Sequence, residues 1–367
     1  MKIKVLHIIK DLEPGGIQTL LLDICNNRHL LNVEIAIFVI GEGSMQSKIE
    51  ATGVKVFSIK RTSGIQFSVI RKLKQVLIIY QPDILHTHHS AEVFYAFFSS
   101  IGLKVKKIHT HHTHPKINTI ADKIVFKLLL PFFDSIVFPS KTVRKLYKSI
   151  SGSDKVIFNG LDLKRVKSSL NKDDARLRLN LPQSTIILGM AGSFLYNIRD
   201  QKFLCEALPV VLKKYPNINM VFAGSANSLY SNSKSYFLQC KEIIKKEGLS
   251  ERVFFPGNIE DISLFYTSLD AYLHASKFDT FSLSVAEAVS NNKYTLINDI
   301  DVFKELYTEN DNVIFYKDGS KQDFQYQLET LIKANFKLTN ESVFSPLFDI
   351  RRYIKSINSL YKEILDK

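Results

Sequence analysis

The stretch LDAYLHASKFDTFSLSVAEAVSNNKYTLIND, residues 269–299, contains one complete repeat of the pattern that decides the fold. An apolar run (269–276) is followed by a segment with helical spacing (281–290) and by a second apolar run (293–299). Short β-rich runs that alternate with helical segments predict a mainly parallel sheet with helices on both faces. The same alternation extends over most of the 367 residues.

Two series of such runs follow one another along the chain. They are separated by a polar, charged stretch at 159–183, which we interpret as an interdomain connection followed by an exposed helix. We therefore predict an α/β protein of two tandem Rossmann-like domains with a deep cleft between their strand ends. The expected boundaries are 1–160 and 161–349, and we expect a last helix at about 350–367 to pack back on the first domain.

Composition excludes several classes of protein. A hydrophobic fraction of 45% with 23% charged residues is typical of a globular domain. Three widely separated cysteines favour neither a disulfide framework nor a cysteine zinc site, which fits a reducing cytoplasm. No run reaches the roughly 20 apolar residues of a membrane-spanning helix. The N-terminal MKIKVLHIIK predicts a first strand rather than a signal peptide.

The net charge of +13 is unevenly distributed. Residues 51–150 carry 16 Lys and Arg against 4 Asp and Glu, a net of +12, whereas residues 251–350 carry 8 against 16, a net of −8. The basic part is either a solvated face or a surface that meets an anionic ligand or lipid head group. Nucleic acid is the less favoured partner, because the stretch contains no recognition motif.

The strand-to-helix turns are the candidate sites, because ligands of open α/β sheets bind beyond the carboxyl ends of the strands. Gly15 and Gly16 precede a helix and can present its backbone amides to an anion. The same pair also occurs in plain tight turns, and the dinucleotide pattern G-x-G-x-x-G is absent.

A second turn, AGSFLYNIRDQK, combines small residues with two cations. Gly192 and Ser193 end a predicted strand, and Arg199 and Lys202 lie within reach of the turn. Such a combination suits a diphosphate, although the two cations can equally coat a helix.

The opening stretch carries two carboxylates, Asp279 and Glu287, that flank seven residues. Thr280 or Ser282 can cap the helix between them. The two acids could hydrogen-bond two sets of sugar hydroxyls. Glu287 lies among residues that look buried, and a buried acid is costly without a partner, so we expect it to have a specific task.

Two histidine-rich runs, LHTHHS (85–90) and KKIHTHHTHP (106–115), each end a predicted parallel strand. Strand alternation sends His109 and His111 to one face. A metal site is not favoured, because no Cys or Glu accompanies the histidines at an established ligand spacing. The runs instead place histidines where ligands bind.

Taken in order, these turns resemble the retaining glycosyltransferases of family 4, which have the GT-B fold. The likeness covers nearly the whole chain and includes the Gly-Gly loop and the two-acid segment. Four further stretches carry it: PDILHTHH (82–89), KIHTHH (107–112), KVIFNGLD (155–162) and LSERVFFPGNIEDISLFYTSLDAYLHAS (249–276).

The resemblance implies roles for individual residues. His111 would contact the donor sugar near its reacting end, Asp279 the sugar hydroxyls and Glu287 the nucleotide ribose, and these three are the expected catalytic residues. The residues implied to bind the diphosphate are Gly15, Gly16, Ser193, Arg199 and Lys202. Those implied to contact the nucleotide, with Glu287, are Gly257, Asn258 and Ile259, and those beside the sugar, with Asp279, are Thr280, Phe281 and Ser282. On the acceptor side we place His88 and His112.

This sequence departs from the family pattern at three places. Asp279 stands where the family usually has Glu. Of the two cations that usually follow the strand-end glycine, the first is replaced by Ser193, and the second is matched by Arg199, which lies one residue farther along. Asn291 and Asn292 stand where a Gly is usual.

The resemblance implies a retaining enzyme that needs neither metal nor cofactor. Its donor would be a nucleotide sugar, by expectation UDP-linked with GDP as the other choice. Its acceptor would be a saccharide or lipid-linked glycan in capsule or exopolysaccharide synthesis, reached from the cytoplasm or peripherally at the inner membrane face. A sugar-nucleotide epimerase of the same fold and a non-catalytic glycosyltransferase-like subunit are the alternatives.

Overall fold

The computed structural model describes residues 2–60, 64–147, 154–226, 232–336 and 346–366. The chain divides into two compact units. The first consists of Met1–Leu161 together with Pro346–Lys367, and the second is Asp162–Ser345.

The first unit is built on a seven-stranded parallel sheet of order β3-β2-β1-β4-β5-β6-β7. Its strands are β1 Ile3–Ile9, β2 Val33–Val39, β3 Lys55–Ser58, β4 Ile84–Thr87, β5 Lys106–Thr110, β6 Ser135–Phe138 and β7 Lys155–Val156. The connecting helices are α1 Gly16–Asn26, α2 Gln46–Ala51, α3 Phe67–Tyr80, α4 Ser90–Ser99, α5 Ile120–Leu129 and α6 Lys141–Leu146. The central strands β1 and β4 are largely buried, including the polar His7, His86 and Thr87, because helices cover a parallel sheet on both faces.

The second unit contains a six-stranded parallel sheet of order β10-β9-β8-β11-β12-β13. Its strands are β8 Ile186–Ala191, β9 Ile218–Ala223, β10 Val253–Gly257, β11 Ala271–His274, β12 Tyr294–Asn298 and β13 Val313–Tyr316. Its helices are α7 Leu163–Val166, α8 Lys172–Arg178, α9 Gln201–Lys214, α10 Ser233–Lys246, α11 Ile262–Ser268, α12 Leu283–Ser290, α13 Asp301–Tyr307 and α14 Lys321–Lys333.

The last helix, α15 (Ile350–Leu365), belongs to the first unit. Its apolar side chains recur at helical spacing and are buried, because this face packs inward while the charged face remains outside. The backbone amide of Leu161 donates to the carbonyl of Phe348 at 2.7 Å, and that of Ile350 to the carbonyl of Leu161 at 3.1 Å. Gly160 has no room for a side chain, since an added Cβ would lie 2.7 Å from Cβ of Tyr353.

The strand order of each sheet reverses once, between β1 and β4 in the first unit and between β8 and β11 in the second. At such a switch point the flanking connections leave on opposite faces and open a crevice beyond the carboxyl strand ends. Among the residues that the structure describes, no helix is long and apolar enough to span a bilayer.

Candidate active site

The carboxyl end of β8 forms a tight backbone corner with that of β9. Gly192 and Gly224 have φ angles of 153° and 134°, and a Cβ added to Gly224 would lie 2.3 Å from the carbonyl oxygen of Gly192. The backbone amide of Phe194 then donates to the carbonyl of Ser225 at 3.1 Å. This corner leaves Ser193 half-buried directly after the strand.

Arg199 and Asp279, predicted to contact the diphosphate and the sugar, are paired with each other at the ends of β8 and β11. Nη1 of Arg199 donates to Oδ2 of Asp279 and, at 2.7 Å, to Oγ of Ser276. The amides of Thr280 and Phe281 donate to Oδ1 of Asp279 at 2.7 and 3.2 Å. Burial alone would raise the pKa of Asp279, but the Arg199 guanidinium and these hydrogen bonds hold that pKa below its usual value, so the carboxylate is ionised.

A buried neutral histidine supports this pair. His274, the last residue of β11, is fully buried, and burial together with the Arg199 cation lowers its pKa to about 3. Its Nδ1 is 3.2 Å from the Tyr272 hydroxyl, and its Nε2 is 3.2 Å from Oγ of Ser276 and 3.3 Å from Nη1 of Arg199. The ring therefore orients Arg199 without adding charge.

Glu287, on α12, has two strong partners inside the second unit. Oε1 accepts from Nη2 of Arg165 on α7 at 2.7 Å, and Oε2 accepts from the Tyr266 hydroxyl on α11 at 2.7 Å. The side chain of Glu287 is 7% exposed and that of Arg165 is 18% exposed. A carboxylate has about four lone-pair positions, so Glu287 can accept further hydroxyl donors.

The loop before α12 is strained at Ser282, whose φ of 61° lies in the left-handed region. The expectation that Thr280 or Ser282 caps the helix through its side chain is not met, because Ser282 occupies the N-cap position without a side-chain cap bond. Its Oγ lies 3.3 Å from Oγ of Ser284 instead. Positive φ at a buried serine costs roughly 1–3 kcal/mol and is typical of ligand sites.

The remaining residues predicted on this unit lie around the same edge. Lys202 lies in the first turn of α9 with a half-exposed side chain, and its Nζ is 3.9 Å from Oε1 of Glu206. Gly257 ends β10 with φ 78°, and its carbonyl accepts from the amide of Gly224 at 2.7 Å, which joins the ends of β9 and β10. Asn258 is exposed and Ile259 half-buried.

In the Gly15–Gly16 turn of the first unit, Gly15 packs against a side chain of the helix that follows it. Gly15 is extended at φ −170°, and an added Cβ would lie 2.6 Å from Oε1 of Gln18. Gln18 in turn donates through Nε2 to the carboxylate of Asp11 at 3.1 Å. A side chain at position 15 would have to displace the terminal amide of Gln18, and Gly16 begins α1.

At the switch point of the first unit, the carboxylate of Glu92 accepts hydrogen bonds from backbone amides at the strand ends. Glu92, fully buried at the start of α4, accepts from the amides of Lys10 at 2.7 Å, His88 at 2.5 Å and His89 at 2.8 Å. Burial raises the pKa of Glu92 to about 8, although the three amides act to lower it. No sequence pattern indicated this residue.

The histidines of the first unit separate onto the two faces of its sheet. On the face covered by α15, four histidines are connected through hydrogen-bonding contacts with one another and with Tyr361: His7, His86, His88 and His112. On the opposite face, His109 contacts Thr87, with 2.9 Å between Oγ1 of Thr87 and Nδ1 of His109. His111 lies next to His109, with 3.4 Å between Nε2 of His109 and Nδ1 of His111.

His111, the predicted donor contact, lies in an aromatic box. Its ring is 1% exposed and stacks on Tyr147 and Phe138 at 4.2 and 5.3 Å between centroids, with the edge of Phe126 at 4.6 Å. Burial lowers the pKa of His111 to about 3, and its Nε2 is buried without a hydrogen-bond partner. Within this unit His112 is half-buried and therefore more accessible than His111.

Only one group of residues in the described part of the chain offers three clustered metal ligands, namely His7, His86 and His88. Their ligand atoms lie within 4.8 Å of one another. However, Nδ1 of His7 is 3.1 Å from Nε2 of His88, and both nitrogens of His86 contact hydroxyls. A bound metal would have to displace these contacts.

Comparison with known proteins agrees with the fold and with the two units. Residues 14–165 match the family model "Glycosyltransferase Family 4", and residues 171–342 match the model "Glycosyl transferases group 1". The chain belongs to the glycosyltransferases that these two models describe.

Individual relatives are distant. The O-antigen biosynthesis glycosyltransferase WclY of Escherichia coli is 23% identical over 321 residues, which cover 85% of this chain and 82% of WclY. The lipopolysaccharide core biosynthesis mannosyltransferase LpsB of Rhizobium meliloti is 27% identical over 156 residues, and the match spans 42% of each chain.

Among solved structures, Anabaena Alr3699/HepE in complex with UDP and glucose superimposes with a TM-score of 0.83 at 18% identity, covering 100% of both chains. Its complex with UDP-glucose gives a TM-score of 0.84 at 20% identity, with 99% of each chain covered. The predicted α/β fold class and the predicted family are thereby confirmed.

Proposed function

We propose that this glycosyltransferase transfers a sugar from a nucleotide diphosphate sugar, with retention of anomeric configuration and without a metal, to a saccharide or lipid-linked acceptor. One observation carries the donor assignment. Two buried carboxylates, Asp279 and Glu287, are each paired with an arginine around a single strand-to-helix turn of the second unit. Carboxylates with remaining lone pairs are suited to accept from vicinal hydroxyls, as a hexose and a ribose present them.

The diphosphate would lie beside Arg199 and Lys202. The contacts of Arg199 to Ser276, His274 and Asp279 use Nη1, and its guanidinium carries further N–H groups on Nη2 and Nε that match phosphate oxygens. Breaking the anomeric C–O bond builds negative charge on the leaving diphosphate, and nearby cations that are already oriented stabilise that charge. Retention follows if the acceptor hydroxyl attacks from the face that the diphosphate leaves.

The nucleotide is proposed to be UDP, because Alr3699/HepE binds UDP and UDP-glucose and has the same fold. The role in surface-glycan synthesis is inferred from WclY and LpsB. A thermal-shift series with UDP, GDP and their sugar conjugates tests the donor, since a ligand stabilises the fold by RT ln(1 + [L]/Kd). If no nucleotide raises the melting temperature, the donor assignment fails.

Activity measurements distinguish a retaining, metal-independent transferase from an epimerase and from a non-catalytic subunit. With donor and acceptor together, NMR of the new glycosidic bond should show the anomeric configuration of the donor, and EDTA should leave the rate unchanged. Inversion would refute the mechanism, and loss of activity in EDTA would refute metal independence. A sugar-nucleotide epimerase would convert the donor without acceptor, whereas a non-catalytic subunit would bind nucleotide without turnover.

We further propose that α5 brings the enzyme to anionic membrane lipid from the cytoplasmic side, where lipid-linked acceptors would be met. Three apolar side chains of α5 form an exposed stripe, Ile120 at 78%, Ile124 at 51% and Leu128 at 59%, and Phe132 in the turn after α5 is 61% exposed. Lys123 and Lys127 are exposed beside it. An apolar helix face flanked by lysines is suited to the head-group region of an anionic bilayer.

Two matched variants test this surface. Leu128→Glu removes an exposed leucine of α5, and Leu238→Glu changes a leucine of α10 with a similar exposure of 54%. Flotation with phosphatidylglycerol vesicles at low salt should recover the wild type and Leu238→Glu but much less Leu128→Glu. Equal recovery of the two variants, or no recovery of the wild type, contradicts the proposal.

A further inference from the structure

A cavity of the first unit lies away from the carboxyl strand ends, between α15 and the turn Arg28–Leu30. Its volume is about 320 Å³. Leu30 and Asn32 line it and immediately precede β2, so the cavity borders the amino end of that strand. His88 and His112, by contrast, follow the carboxyl ends of β4 and β5, where ligands of open α/β sheets bind. We call this space the α15 cavity.

Three cations of α15 line the cavity, and none of the described residues that line it is a carboxylate. Arg351, Lys355 and Lys362 are spaced by four and by seven residues, which places them on one face of the helix. Asp349 offsets part of this charge, since Nε and Nη2 of Arg351 donate to its carboxylate at 3.0 and 2.5 Å. Like charges on one helix face repel each other, so an anion in the cavity would be stabilised.

The rest of the lining is suited to a sugar ring. Ile354 is buried and Leu30 is 36% exposed, and together they provide an apolar wall. The exposed amide of Asn32 can donate to and accept from sugar hydroxyls, and the hydroxyl of Ser359, which donates to a helix carbonyl at 3.0 Å, can accept from them. Asn358, 7% exposed, donates through Nδ2 to the carbonyl of Leu30 at 3.3 Å and holds this wall against α15.

We propose that the α15 cavity binds an anionic saccharide, that is, a sugar ring that carries a phosphate or a carboxylate group. The anion would lie against the cations of α15, and the C–H groups of the ring against Leu30 and Ile354. The volume of the cavity is at the lower end of the range of about 300–1,000 Å³ for small-molecule sites, so it suits a small ligand. All lining residues belong to the first unit, and binding there does not depend on the donor site proposed for the second unit.

The test is a titration by saturation-transfer NMR at low salt, with glucose 6-phosphate and glucose as ligands and inorganic phosphate as a competitor. We expect glucose 6-phosphate to bind and glucose to bind much more weakly. Phosphate should displace the sugar only in excess, and added salt should weaken binding because the cations are exposed. Equal binding of glucose would contradict the role of the cations. Displacement by an equal concentration of phosphate would contradict the role of the sugar ring.

Variants locate the site. Lys355→Glu combined with Lys362→Glu should weaken binding at least about fivefold, because both changes reverse a charge at the cavity. The matched control combines Lys234→Glu with Lys241→Glu, two exposed lysines of α10 with the same spacing, and should stay within about twofold. Ser359→Trp fills the cavity without a change of charge and should also weaken binding. Melting curves must show that each variant is folded. Equal losses in the two pairs, or full binding in Ser359→Trp, would overturn the proposal.

Galacturonate and trigalacturonate distinguish two sources of such a ligand. Tighter binding of the trimer than of the monomer would support a site for an anionic glycan chain, whereas preference for glucose 6-phosphate would support a site for a free sugar phosphate. Absence of binding by all three anionic sugars to the wild type would overturn the proposal. None of these measurements requires turnover, so an enzyme that transfers no sugar would refute the proposed function and leave this test intact.

Discussion

In each parallel sheet, the carboxyl ends of the strands form one edge. These two edges lie at equivalent topological positions, but the side chains along them differ in charge. In the second unit the edge is built from ion pairs, Arg199 with Asp279 and Arg165 with Glu287. In the first unit the edge is built from neutral histidines and from Glu92, whose carboxylate is held by backbone amides. One fold therefore presents an edge of ion pairs in the second unit and an edge dominated by neutral hydrogen-bonding rings in the first.

The difference separates two kinds of ligand. A nucleotide diphosphate is strongly charged and gains most from oriented cations and carboxylates. The acceptor sugar reacts through a hydroxyl, and neutral imidazoles can donate to or accept from a hydroxyl without the cost of burying a charge. We therefore expect changes at the charged edge to affect donor binding and changes at the histidine edge to affect transfer.

Glu287→Gln should lower turnover about 100-fold, because an amide replaces the carboxylate that would accept from the ribose and that pairs with buried Arg165. The measurement is nucleotide release with donor and acceptor. Glu309→Gln, at an exposed loop position, is the control and should be unchanged. Circular dichroism and a melting curve must show that the variant is folded. Wild-type turnover in Glu287→Gln would refute its role.

Asp279→Asn should lower kcat about 30-fold while leaving the affinity for free UDP within about threefold, because this carboxylate is assigned to sugar hydroxyls rather than to the nucleotide. The split between turnover and UDP binding is the readout. Equal losses in both would mean that Asp279 acts mainly by holding Arg199, with which it is paired.

The variants His112→Gln and His111→Phe test which of these two histidines contributes to transfer. The sequence assigned the ligand contact to His111, whereas His112 is the more accessible ring in the structure. We expect His112→Gln to lower kcat about tenfold, the value of one hydrogen bond in the transition state. His111→Phe places an apolar ring in the aromatic box and removes a buried unpartnered nitrogen, so turnover should remain within about threefold. The opposite result would restore His111 as the donor contact.

Acid should destabilise the first unit before the second. As the pH falls below about 6.5, histidines of the unfolded chain bind protons, whereas buried neutral histidines of the folded chain do not. Each buried histidine therefore lowers the free energy of unfolding by up to about 1.4 kcal/mol for each pH unit of acidification. Burial is the largest cause of a lowered pKa at seven histidines of the first unit, namely His7, His86, His88, His89, His109, His111 and His112. Glu92, with its raised pKa, opposes the trend in the same window but is a single group.

Melting curves between pH 7.5 and 4.5 should therefore show a falling melting temperature below pH 6.5. Hydrogen exchange should accelerate in β1 and β4 before it does in β8 and β11. A melting temperature that is flat or rises toward pH 4.5 would contradict the assignment of neutral buried histidines.

The sequence predicted the order of elements well because continuous apolar runs define parallel strands. The run at 3–9 is found as strand Ile3–Ile9. The helix predicted at 281–290 begins instead at Leu283, because Ser282 adopts a left-handed φ that no periodicity indicates. Predictions of this kind are limited by backbone conformations that packing imposes.

The partners of the site residues could not be predicted, since they come from distant segments. Glu287 was expected to need a partner, but Arg165 lies 122 positions away and Tyr266 on another helix. The helix expected to be exposed within the stretch 159–183 contains Arg176, which is 2% exposed and donates to Asp270 at 2.6 Å. Strand alternation correctly grouped His109 with His111, yet only the packing of Phe126 shows that their face is closed.

The most direct test of the account is calorimetric titration of UDP, with GDP in parallel, into the wild type, Arg199→Gln and His112→Gln. We predict that Arg199→Gln weakens binding of the preferred nucleotide at least about tenfold, because a charge-assisted contact to the diphosphate is lost, while His112→Gln binds it within about twofold. Unchanged binding in Arg199→Gln, or an equal loss in His112→Gln, would contradict the assignment of the nucleotide to the charged edge of the second unit.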